Sequence, residues 1–152
     1  MEQIGKREIK EMNEELSSYG VELSKKNNVA VEDDKVYVDK ELSFFRDEGK
    51  LYPSLRYVYK NPEVQESMKK ISVDMGAVRF VAKGADIMNP GIKSFGDGIR
   101  SGDVVLVIDE NNKKPIAIGQ SRVDSEDFNP SEKGKSIRNV HHVGDSIWDE
   151  ES

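Results

Sequence analysis

The sequence predicts an α+β protein of two small units: a helix-led α/β first half and a β-rich second half that closes into a small barrel. Three observations carry this. At the start, Ile9, Met12, Leu16 and Tyr19 keep helical spacing. Beyond residue 70, short apolar runs alternate with Gly- and Asp-rich turns. The chain has 152 residues, which suits one domain or two small ones.

Each element follows from local chemistry. Residues 6–19 read as an amphipathic helix, with Gly20 as its stop. Val29–Val31 and Val36–Val38 read as a hairpin around Glu32–Lys35, and Leu42–Arg46 as a further strand before a turn at Arg46–Lys50. Pro53–Lys60 reads as a short helix with proline in its first turn, ended by Asn61-Pro62. The polar stretch Glu63–Lys70 reads as a linker, placing domains at residues 1–70 and 71–152. Asp74 is placed to cap a helix over Gly76–Lys83, Gly84 to stop it, and Ile87–Ile92 to return as a glycine-rich strand. Val104–Ile108 and Pro115–Gly119 form a second hairpin around Asp109–Lys114. After a charged excursion at Glu126–Lys135, Ile137–His142 and Ser146–Trp148 complete the β-rich unit.

Composition excludes several function classes. There is no cysteine, so disulfides, cysteine-held zinc, iron–sulfur clusters and thiol catalysis are out. No apolar run approaches the roughly 20 residues a membrane helix needs, and Met1–Arg7 carries no signal-peptide core. A cytoplasmic protein without membrane partners is expected. The net charge of −6 opposes nucleic-acid binding. Its distribution weakens that objection. Residues 71–152 hold ten basic and fourteen acidic side chains, three of the acidic ones being Asp149, Glu150 and Glu151. Lys69, Lys70, Arg79, Lys83 and Lys93 lie close in sequence and can supply a local basic face.

An ordered series of motifs then points to a family. Val73-Asp74-Met75-Gly76-Ala77, Lys83-Gly84-Ala85, Asn89-Pro90-Gly91-Ile92, Gly102-Asp103-Val104-Val105, Ala117-Ile118-Gly119, Gly134-Lys135 and His141-Gly144-Asp145-Trp148 together resemble a PUA domain, an RNA-binding module. Upstream, Leu42–Arg46, Tyr52–Arg56 and Pro62 resemble the pre-PUA domain of the malignant T-cell amplified sequence proteins and their archaeal relatives. The resemblance implies an α/β pre-PUA domain followed by a PUA pseudo-barrel. It also implies work in translation initiation or recycling on the small ribosomal subunit, with a translation-factor partner.

The resemblance places an RNA site beside the first PUA helix and the following strand. The candidate contacts are Arg79, Lys83, Gly84, Ala85, Asn89, Pro90, Gly91 and Ile92. Glycine has no Cβ, so a phosphate can approach its backbone N–H closely, and Arg79 and Lys83 share one helix face. The bland alternative is that Gly84 only stops a helix and Gly91 only permits a bend. His141-His142 point to opposite faces of a strand, which favours a structural role over a metal site. Trp148 reads as a core or barrel-closing residue rather than a base-stacking platform. Phe44, Phe45, Tyr52, Tyr57 and Tyr59 interleave with Arg46, Arg56 and Lys60; a small-domain core is favoured over a base-stacking surface. Arg46 and Arg56 are open between ligand contacts and internal ion pairs. No catalytic residue, metal or cofactor is expected, because neither a nucleophile elbow nor a phosphate loop is present. The expected function is non-enzymatic binding of tRNA or ribosomal RNA. The alternatives are a protein-interaction adaptor or an accessory subunit of an RNA-modifying enzyme.

Overall fold

In a computed structural model, residues 1–150 are described, and Glu151 of the acidic tail lies outside them. Met1–Met68 together with Glu150 form one compact unit, and Lys69–Asp149 the other.

In the first unit, helix α1 (Lys6–Leu16) buries Met12 and Leu16 and passes into a 3-10 turn at Ser17–Tyr19. Gly20 stops it with φ +72°, a left-handed conformation that glycine adopts without cost. A five-stranded antiparallel meander runs in chain order. Its strands are β1 (Glu2–Gln3), β2 (Val29–Glu32), β3 (Lys35–Val38), β4 (Glu41–Asp47) and β5 (Lys50–Pro53). Two of these, β1 and β5, escape the sequence reading. Pro53 ends β5 instead of opening a helix. Ser54 is the cap of α2 (Leu55–Lys60), its hydroxyl accepting from Tyr57 N at 3.2 Å. The expected linker is also overturned. Pro62–Ser67 is helix α3, which buries Val64, and Lys69–Val73 is strand β6 of the second unit.

The second unit contains β6, α4 (Met75–Val81), β7 (Ile87–Met88), β8 (Ile92–Phe95), β9 (Val104–Asp109), β10 (Pro115–Ser121), β11 (Lys135–His142) and α5 (Ser146–Glu150, its last residue apart). Ser146–Trp148 is therefore helical rather than a strand, and Trp148 is half-buried. The six-stranded sheet runs β7-β11-β10-β9-β6-β8, with β6 parallel to β9 and the other pairs antiparallel. Its two edge strands, β7 and β8, are adjacent in the chain. The expected strand Ile87–Ile92 is split by a 3-10 turn at Asn89–Gly91, which carries the chain from one edge of the sheet to the other. The sheet thus curls into a nearly closed pseudo-barrel around Ile71, Val73, Ile87, Ile99, Val105, Val107 and Ile137, all at 0–1% exposure.

Candidate nucleic-acid interface

Helix α4 begins as its sequence dictates. Asp74 accepts from Ala77 N at 2.8 Å, and Glu110 accepts from the free Met75 N at 2.9 Å. Its other end is a Schellman motif: Gly84 N donates to Val81 O at 2.9 Å and Ala85 N to Phe80 O at 3.0 Å. Gly84 holds φ +95° there, and a Cβ would also sit 3.1 Å from the His142 imidazole. This turn corrects the phosphate-cradle expectation. The N–H groups of Gly84 and Ala85 are spent on the helix end. Asn139 Nδ2 in addition donates to the carbonyls of Val81 (3.1 Å) and Ala85 (3.0 Å). A helix C-terminus is moreover the negative end of its dipole.

The remaining candidates separate by orientation. Asn89 is buried, its amide oxygen accepting from the Ser136 hydroxyl and its N–H donating to Gly134 O at 2.9 Å. Ile92 is a core residue at 5% exposure. Neither side chain is available to a ligand, because the turn between β7 and β8 needs both to close the barrel. Arg79, Lys83, Ala85 and Pro90 are exposed. Gly91 needs no left-handed backbone; its role is close approach, since a Cβ would lie 3.1 Å from the Ala77 Cβ.

Between α4 and β7 runs a groove of about 550 Å³, and Ala85 and Gly91 line it together with Phe80, Met88, Asp86 and Lys135. Its wall carries exposed apolar side chains, Phe80 at 54% and Met88 at 45%, with Met75 at 45% on the same helix. Arg79 Cζ stands 5.0 Å from the centre of the Phe80 ring. Phe80, Met88 and Lys135 were missed as site residues. Phe80 reads as one more apolar residue of an amphipathic helix, and its exposure depends on where the barrel leaves α4 uncovered.

Other candidates resolve structurally. Phe44, Phe45 and Tyr52 are 0–4% exposed and belong to the core of the first unit, whereas Tyr57 and Tyr59 are half-buried. Arg46 makes an ion pair, its two terminal nitrogens donating to Glu15 at 3.0 and 2.8 Å. Lys69 is engaged by Asp103 at 2.7 Å and the Gly98 carbonyl at 2.8 Å. Buried His141 places Nδ1 2.9 and 2.8 Å from the two carboxylate oxygens of Asp145.

With that geometry in place, comparison with known proteins decides the family. A PUA domain model matches residues 69–143, and a model described as a domain of unknown function (DUF1947) matches residues 3–61. The chain belongs to the PUA-domain family. It is 37% identical over 153 residues to an uncharacterised protein of Methanocaldococcus jannaschii, covering 95% of this chain and 93% of that one. Translation machinery-associated protein 20 of Saccharomyces cerevisiae is 38% identical over 117 residues, 73% of this chain and 63% of the yeast protein. Malignant T-cell-amplified sequence 1 of Rattus norvegicus is 36% identical over 115 residues, again 73% of this chain, and 62% of its own length. The structure of a conserved PUA-domain protein from Thermoplasma acidophilum superposes with a TM-score of 0.76 at 30% identity, covering 99% of both chains. The two matched segments of this PUA-domain protein fall one in each of its two units. No helix among its described residues is long and apolar enough to cross a membrane.

Proposed function

We propose that this PUA-domain protein is a non-enzymatic RNA-binding protein of translation, taking tRNA or RNA of the small ribosomal subunit in the groove between α4 and β7. The observation that carries the reading is the union of exposed Phe80 and Met88 with Lys135 in one groove, with Arg79 against the Phe80 ring and Lys83 exposed just past the end of α4. Apolar and aromatic faces take unstacked bases, while cations take the adjoining phosphates. The relatives named for the translation machinery support the biological setting. Among the described residues that line the groove, the single carboxylate, Asp86, is engaged by Asn139 and Lys135.

The test is binding of purified tRNA and of small ribosomal subunits over a salt series. Log affinity is expected to fall linearly with log salt, and Lys83→Glu to weaken binding several-fold. Absence of salt-sensitive binding to either target overturns the reading. A second reading, a protein-interaction adaptor, draws on the exposed Met75, Phe80 and Met88. Partners recovered equally well after ribonuclease treatment would favour it. Phe45, at 4% exposure, takes no part in such a surface.

A further inference from the structure

The Schellman turn spends the backbone donors of Gly84 and Ala85, so those two N–H groups do not meet an anion seated in the groove, and side-chain donors gain weight. Among the described residues that line the groove, Lys135 alone carries a positive charge. It opens β11 and pairs across the ladder with Met88, beside the apolar wall. Its ammonium lies 3.2 Å from Asp86 Oδ2, and the side chains are 57% and 24% exposed. The other oxygen of Asp86 accepts from Asn139 N at 2.8 Å, and the Asn139 amide in turn clamps the Val81 and Ala85 carbonyls. One carboxylate therefore joins the β11 ladder, the helix-ending turn and the lysine. Burial pushes the Asp86 carboxyl up, but the Asn139 N–H, the Lys135 ammonium and the nearby Arg122 outweigh it and hold the group below its ordinary range.

We propose that Lys135 is the phosphate contact of this groove and that Asp86 is its positioning residue. The assignment rests on the RNA reading of the same groove. An ammonium has three donors, and Asp86 takes one, leaving two for a phosphate at the groove mouth. Holding the flexible lysine in place before the ligand arrives removes part of the ordering cost of binding. The carboxylate also cancels the charge of Lys135 at long range. The pair then favours RNA that seats in the groove over polyanions that only pass near it.

The experiment measures affinity for unfractionated tRNA across a salt series, for the full chain and three variants. Lys135→Ala keeps the bond between Asp86 and Asn139. It is expected to weaken binding roughly three- to tenfold and to lower the salt slope by about one, which a purely structural role would not do. Lys135→Arg should retain affinity and slope within about twofold, because the cation is kept. Asp86→Asn should weaken binding by roughly twofold or more with the slope unchanged, since no cation is lost. If the unsubstituted protein binds tRNA and Lys135→Ala changes neither affinity nor slope, the assignment of Lys135 is overturned. If Asp86→Asn binds more tightly, Asp86 only repels the ligand and its positioning role is overturned. Failure of the unsubstituted protein to bind tRNA or subunits would instead remove the RNA reading itself.

Discussion

In the first unit Phe44, Phe45 and Tyr52 are sealed inside at 0–4% exposure, whereas in the second Phe80 stands 54% exposed on α4. The buried set lies in the more suggestive sequence, where aromatics interleave with Arg46, Arg56 and Lys60. Phe45 and Tyr52 stack across β4 and β5 with ring centres 5.6 Å apart, and Phe44 meets Tyr57 at 4.7 Å. Phe44 and Phe45 are neighbours on β4 and point to opposite faces, so both faces of that strand are covered. Phe80 sits on a short helix whose other face, through Val81, already closes the barrel core. The contrast teaches that aromatic content does not mark a binding surface; what marks it is an apolar side chain left without a layer to cover it.

The largest expected effect tests the buried side of this contrast. Phe44→Ala should cost about 3–5 kcal/mol of stability, read by urea denaturation followed by circular dichroism. A loss under about 1 kcal/mol would mean the ring is not core. The matching change in the second unit, Phe80→Ala, should leave stability within about 0.5 kcal/mol and reduce tRNA binding by about 1–3 kcal/mol. Equal stability losses at the two positions would erase the distinction.

The smallest effect concerns acid. Burial pushes the Asp145 carboxyl up, but bonds from His141, Trp148 N and His142 N outweigh it and hold the group at about 2, below its ordinary 3.8. A carboxylate depressed in the folded state stabilises it above its unfolded value, and that contribution fades as pH falls from about 4 toward 2. Asp145→Asn should flatten this part of the stability profile in the second unit, with no change above pH 5 beyond a constant offset. A profile identical to that of the unsubstituted protein would show that the pair does not couple to folding.

What was legible lies within short stretches of chain. Asp74 caps α4 through a bond three residues long, and Gly20 and Gly84 stop helices through the left-handed backbone that glycine favours. The β2–β3 and β9–β10 hairpins follow from alternation and turn composition. What escaped depends on distant partners. Glu2–Gln3 becomes a strand only because β2 lies beside it, and Lys69–Val73 only because β9 and β8 flank it. Asn89 reads as an RNA contact on a strand until Ser136, 47 positions away, takes its side chain inward.

The sequence by itself determined the α+β class and the cap and stop of α4, because these rest on periodicity and local hydrogen bonding; its motif series carried the resemblance to PUA domains, and that resemblance pointed to the candidate site. Only the tertiary structure decided what the groove offers a ligand. It spent the Gly84 and Ala85 N–H groups on the helix end, turned Asn89 and Ile92 inward, and left Phe80 and Met88 uncovered. It also brought Lys135 to Asp86, whose carboxylate is anchored across 53 residues of chain by Asn139 N. Closure of the barrel sets all of these, and closure is a property of strands far apart in sequence.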